Sequence, residues 1–193
     1  RFFHPDPTVK RQSGFLPPVF SLSSSLGAGS ATPYYWAISK NKDFTFTPKL
    51  YTNENALFLN EYRQAFRNGF LTLDTSYQEG YKNTSSKKTE GSRNHIFANL
   101  DLNFGEDEIS NSSLNVKIQR TSNDTYFRVH NINTALVDSE NTNLENEIVY
   151  NFSKSDMYLD VKANVFEDLN TDDSARYEYI LPNITYGKTF FNE

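Results

Sequence analysis

The sequence has no cysteine, a single methionine and a single tryptophan. Without thiols there is no disulfide framework and no thiolate zinc site. No run approaches the eighteen or so consecutive apolar residues of a membrane helix. Strands remain open as a way across a bilayer, because each needs only about 9–11 residues with one apolar face. Apolar residues make up 37% of the chain, against roughly 45–50% in ordinary domains when glycine is counted. Mean hydropathy is −0.66. The aliphatic material suffices for one thin layer better than for a compact globule. His4, His95 and His130 stand far apart in the sequence, without metal-ligand spacing. A glycine-rich phosphate loop and a nucleophile elbow are both missing. The net charge is −5, with no basic stripe that would attract nucleic acid. The expectation is a non-enzyme that needs no cofactor and no metal.

What the chain has is aromatic residues, at 15%, and alternation. Phe44, Phe46, Pro48 and Leu50 alternate with Thr45, Thr47, Lys49 and Tyr51. Leu71, Leu73, Thr75 and Tyr77 alternate with Thr72, Asp74 and Ser76. In HIFANLDLNF, Ile96, Ala98, Leu100, Leu102 and Phe104 share one face, with His95, Phe97, Asn99, Asp101 and Asn103 on the other. Leu114, Val116 and Ile118, then Met157, Leu159, Val161, Ala163 and Val165, continue the rhythm. Period two is the signature of a strand with one buried and one polar face.

These segments predict strands over 15–23, 27–38, 43–52, 56–66, 69–79, 93–104, 112–121, 125–132, 143–153, 156–166 and 175–187. The stretch TYFRVHNINTALV, which begins at Thr125, reads equally as a strand or as a helical turn followed by a loop. The breaks differ in length. KNKD (Lys40 to Asp43) and RNG (Arg67 to Gly69) are tight turns, while Tyr81 to Ser92 is a long polar loop; GEDEISNS, from Gly105, is longer than a short-side turn should be. The fold class is therefore all-β, an antiparallel up-and-down meander. A β-sandwich alternates in the same way, so a soluble carbohydrate-binding module and a generic porin-type channel remain alternatives at this point. Polar residues at position after position, and apolar faces ending in Tyr or Phe, favour a membrane barrel with a wet lumen and an aromatic girdle.

Two motifs are more specific. Ser13-Gly14-Phe15-Leu16-Pro17-Pro18 follows the basic pair Lys10-Arg11. Pro33-Tyr34-Tyr35-Trp36-Ala37-Ile38 then leads to Asn41 and Asp43, to Thr47-Pro48, and to Glu61-Tyr62-Arg63. In order and spacing, from about Val9 to Asp74, they resemble the LptD family of lipopolysaccharide-assembly (organic solvent tolerance) proteins. Ser39-Lys40 departs from the family pattern, which has a small residue before proline there. Beyond Asp74 only the strand rhythm supports the resemblance.

The resemblance implies a fragment of a large transmembrane β-barrel in the outer membrane of a Gram-negative bacterium. Residues 1–12 would end a periplasmic part, and 13–193 would be the first strands of an incomplete barrel. It implies lipopolysaccharide as substrate, the plug lipoprotein LptE as partner, and a periplasmic bridge protein reached through a preceding domain. Lipopolysaccharide would leave through a lateral seam, where Pro18 and Pro33 weaken the first strands. Tyr34, Tyr35 and Trp36 would sit at the membrane interface. Glu61, Arg63, Asp74, Asp101 and Lys162 would line a solvated lumen.

Overall fold

The computed structural model describes residues 11–80, 91–105, 110–172 and 174–190. Most of the expected 81–92 loop and part of the 105–112 connection lie outside them, as does nearly all of the segment before Ser13. One sheet holds twelve strands: β1 (Gly14–Phe15), β2 (Val19–Ser23), β3 (Gly27–Ala31), β4 (Tyr34–Ser39), β5 (Lys42–Tyr51), β6 (Leu57–Phe66), β7 (Gly69–Gln78), β8 (Arg93–Asn103), β9 (Ser110–Thr121), β10 (Asn143–Lys154), β11 (Met157–Asp168) and β12 (Tyr177–Lys188). Every pairing is antiparallel, and from β4 to β12 neighbours in sequence are neighbours in the sheet. No helix among the described residues is long and apolar enough to cross a membrane.

The first two predicted strands are each cut in two. β2 pairs β3 and β1 pairs β4. β3 and β4 both pair β5, at Tyr51–Lys49 and at Phe46–Lys42. β1 with β2, and β3 with β4, are therefore long strands broken at residues 16–18 and 32–33.

Alternation sorts the side chains as the sequence suggests. On the outer face, register places Trp36 beside Phe44, Phe44 beside Tyr62, Tyr62 beside Leu73, Leu73 beside Ala98, and Ala98 beside Ile118. This is a continuous apolar row across six strands, and Trp36 and Ile118 on it are exposed. Leu22 and Leu181, on the two strands at the open ends of the sheet, are 87% and 81% exposed.

The other face is polar, and part of it is covered. Residues 125–132 are not a strand but carry a short helix, α1 (Tyr126–His130). The local reason is a density of side chains that satisfy backbone groups themselves. Asn123 Oδ1 accepts from the Thr125 N–H at 3.1 Å. Asn131 ends the helix in the left-handed region at φ 46°, a conformation asparagine tolerates. Thr134 Oγ1 accepts from the N–H groups of Leu136 and Val137. The resulting cap, residues 122–142, buries Tyr126, Phe127, Ile132 and Val137 against Leu57, Leu59, Phe97, Leu144 and Leu169. This is the only buried apolar cluster among the described residues, so the cap gives the sheet its core.

Close approach of strands fixes one glycine. A Cβ on Gly69 would lie 1.9 Å from the backbone oxygen of Asp101, which cannot move without breaking the β7–β8 ladder. Gly69→Ala is expected to lower folded-state stability by about 1–3 kcal/mol, read as a lower midpoint in thermal unfolding of the full-length protein in detergent.

Candidate functional site: a broken ladder beside a capped polar face

The two features that could carry function lie side by side at the start of the sheet. The first is the ladder break. One backbone bond runs through each gap: the Leu16 N–H donates to Pro33 O at 2.9 Å, and the Thr32 N–H donates to Pro48 O at 3.3 Å. In an antiparallel ladder the N–H and C=O of one residue point to the same neighbour. Pro33 therefore lacks its donor on the side facing the first strand, and Pro48 lacks its own on the side facing the second. Proline has no N–H to give. Pro18 lies in the 16–18 gap, so the gaps in the first two strands both hold proline and Pro48 stands opposite the second. Each missing ladder bond removes roughly 0.5–1.5 kcal/mol of net stability. The sequence pointed to Pro18 and Pro33; the role of Pro48 becomes visible only from register, since alone it reads as one apolar-face residue.

The aromatic motif divides between faces. Tyr34 packs edge-on against Phe15, with ring centroids 5.1 Å apart, and Trp36 lies exposed on the outer face. Tyr35 points the other way. Its hydroxyl accepts from Arg11 Nε at 2.9 Å, and Arg11 also ion-pairs with Asp43.

Asp43 starts a polar track on the inner face. Its carboxylate meets Arg63 Nε at 2.9 Å, and the same nitrogen lies 3.3 Å from Glu61. Register sets Glu61 beside Asp74. Asp101 accepts from Asn99 at 2.9 Å and from Asn115. Further along, Lys117 pairs with Glu145 and Lys162 with Glu147, each at 2.7 Å. Register thus puts Glu61, Arg63, Asp101 and Lys162 on one face of the sheet.

Asp74 differs from the expectation of a solvated residue, being only 1% exposed. The cap covers it, and it opens a buried chain of polar contacts. Asp74 Oδ1 lies 3.3 Å from His95 Nε2. His95 Nδ1 lies 2.6 Å from Ser76 Oγ, which is 2.7 Å from the Tyr126 hydroxyl. Asp, His and Ser in contact could suggest a hydrolytic triad. Here the serine is sealed and its hydroxyl is taken by the cap tyrosine, so the contacts fasten α1 to the sheet. The histidines, scattered in sequence, prove to be neighbours in part: His130 meets Tyr126 edge-on with ring centroids 5.2 Å apart, and His95 lies tilted against the same ring at 6.1 Å.

His130 is a second fastening. Arg93 Nη1 lies 3.2 Å from its Nε2. Arginine only donates, so Nε2 accepts. Burial, reinforced by Arg93 and Lys49, pushes the imidazole down to about 3. Lys49 Nζ donates to the His130 and Asn131 carbonyls at 3.3 and 3.4 Å, the position at a helix C-terminus that suits a cation. At the far side Arg176 bonds Glu167 at 2.7 Å and Asp124 at 2.6 Å. Burial opposes its charge, but these two carboxylates outweigh that and raise its pKa. Sequence reasoning missed His95, Ser76, Tyr126 and Lys49. A hairpin register joining Ser76 to His95 would have found the first pair; the cap that completes them carries no such periodic signal.

No family model matches the chain. Curated relatives do. LPS-assembly protein LptD of Nitrosococcus oceani is 36% identical over 107 residues, covering 51% of this chain and 14% of that protein. Its namesake from Legionella pneumophila strain Paris is 29% identical over 136 residues, 66% of this chain and 16% of the relative. The chain resembles a segment of LPS-assembly protein LptD. The likeness reaches beyond the motifs: the Pseudomonas aeruginosa LptD is 26% identical over 178 residues, 92% of this chain. The chain spans 18% of that relative's length, and the antiparallel meander is the form a fragment of an LptD-type barrel takes.

The cap should be acid-sensitive. A base whose folded-state pKa is depressed stabilises above its unfolded value, and that contribution drains away as pH falls. For His130 the window runs from 6.5 down to about 3. Thermal unfolding across that range should show a loss of stability that His130→Gln flattens. Tyr126→Phe should cost about 1 kcal/mol at every pH.

Proposed function

We propose that this chain is the first part of an outer-membrane β-barrel wall that delivers lipopolysaccharide to the outer leaflet, with residues 13–193 in the barrel and 1–12 ending a periplasmic part. The observation that carries the reading is the aligned break at residues 16–18, 32–33 and Pro48. It lies in the strands at one open end of the sheet, where closure of a barrel would make a seam. A seam short of donors parts at lower cost than a full ladder, and a lipid can then leave sideways. The relatives' name, LPS-assembly protein, supports lipopolysaccharide as the cargo. The outer apolar row supports a lipid-facing surface, with Tyr34 and Trp36 as its aromatic members near the rim. The inner track of Asp43, Arg63, Glu61 and Asp101 supports a wet lumen. A plug lipoprotein, LptE, would occupy that lumen, and a periplasmic bridge protein would feed the cargo through a preceding domain. The Gram-negative outer membrane is the site of action.

The test replaces Pro18 and Pro33 with alanine in the full-length protein. Pro33→Ala restores a donor toward Leu16, so the double variant should slow the appearance of labelled lipopolysaccharide at the cell surface. Export at the wild-type rate would count against the seam. If depletion of the parent protein left surface lipopolysaccharide unchanged, a porin-type channel would be the better reading.

A further inference from the structure

Arg11 and Ser13 belong to the motif ahead of β1 and take no part in the broken ladder or in the cap. They meet the end of the sheet that carries the short turns. β1 pairs with β4 only at Gly14–Tyr35 and Phe15–Tyr34. Ahead of Gly14 the backbone ladder stops and side chains take over. Ser13 Oγ accepts from the Ala37 N–H at 2.9 Å. Arg11 donates through Nε to the Tyr35 hydroxyl at 2.9 Å, through Nη1 to the Lys40 carbonyl at 3.4 Å, and through Nη2 to Asp43. One guanidinium thus grips both strands of the β4–β5 hairpin and the turn between them. A planar fork with five donors can make these contacts at once, and an ammonium cannot.

The receiving side is shaped for this grip. Register sets Trp36 against Phe44 and Ser39 against Lys42, so Ala37 and Ile38 together stand opposite Asp43. Two residues against one make a β-bulge, which re-aims side chains. Asp43 is only 3% exposed, and a buried carboxylate needs partners. Arg63 takes one of its oxygens at 2.9 Å, while Arg11 and the Tyr35 hydroxyl take the other. In the turn, the Asn41 side-chain amide donates to the Ala65 carbonyl at 2.9 Å, and the Asn41 carbonyl accepts from the Ala65 N–H at 2.7 Å. The surface that Arg11 grips is therefore tied to β6 as well as to β4.

We infer that Arg11 and Ser13 form a clasp that fixes the direction in which the preceding part of the full-length chain leaves the barrel. The inference rests on the reading that residues 1–12 end a periplasmic part, and deepens it. A ladder continued past Gly14 would keep the chain in the plane of the sheet. Two side chains hold it to the sheet there and still let it turn away. A preceding domain held in this manner faces the first strands in one orientation.

The experiment uses the full-length protein in lipid nanodiscs. A spin-labelled amino acid that needs no cysteine replaces Arg67, which is exposed in the β6–β7 turn, and a second is placed in the part that precedes Arg11. The distance between the labels should be narrowly distributed in the wild type. Arg11→Gln should widen the distribution at least about twofold, since relative motion is the default where no interface restrains two parts of a chain. Asp43 keeps Arg63 in that variant, so the wall itself stays folded. Arg11→Lys, which keeps the charge without the fork, should restore the narrow distribution only in part. Ser13→Ala should speed hydrogen exchange of the Ala37 amide about tenfold, the worth of one lost bond. An equally narrow distribution in Arg11→Gln, a wide one in the wild type, or unchanged Ala37 exchange in Ser13→Ala would each overturn the clasp. Any of these with surface lipopolysaccharide still dependent on the parent protein leaves the proposed function standing. Surface delivery independent of the parent, with the narrow distribution lost in Arg11→Gln, would remove that function and leave the clasp.

Discussion

A β-sheet is held edge to edge by one resource, the backbone N–H, and the first strands of this chain run short of it. Pro33 accepts from Leu16 but returns nothing, and Pro48 accepts from Thr32 but returns nothing. The consequence is local. From β6 to β8 the ladders run unbroken through ten registered pairs each. The chain thus combines a wall of ordinary strength with a weak margin, and the margin is what distinguishes it from a generic strand meander.

The weakness is bounded by the cap. Lys49 and Tyr51, one and three residues beyond Pro48, both touch His130. β5 is therefore the strand where the broken ladder and the capped core meet. Ser76, His95 and Arg93 hold the same cap from β7 and β8. The first two strands hang from β5 by few bonds, whereas β5 itself is tied to the core. Under the proposed function, an opening between them would leave the rest of the wall tied to the core. The small inward residues of β2 and β3 add to this, because they leave a cavity in place of packing contacts.

Much of the fold is legible in the sequence because a strand with one polar and one apolar face repeats every two residues. Leu71–Leu73 and Ile96–Ala98–Leu100 announce their face without any tertiary information, and the observed strands begin and end within two residues of the expected bounds for most of the chain. The helix at Tyr126–His130 was ambiguous for a physical reason: five residues are too few to show a 3.6-residue period. Its signal lies in caps, Asn123 ahead and Asn131 behind. That Pro18 and Pro33 cannot donate to a ladder was legible from chemistry alone. The burial of Asp74 was not, since a carboxylate on a polar strand face looks the same whether water or a cap lies above it. The division of Tyr34 and Tyr35 between faces follows from alternation, but the motif reads as one aromatic block until the register is known.

The central claim is that the margin is weaker than the wall when the barrel is whole. Residue-resolved hydrogen exchange of the full-length protein in lipid nanodiscs measures this directly. The account predicts that amides of β1 to β4 exchange about tenfold or more faster than those of β6 to β8, because a deficit of one to two ladder bonds is worth roughly that factor. Equal protection across both sets, with the first strands as slow as the central ones, would contradict it.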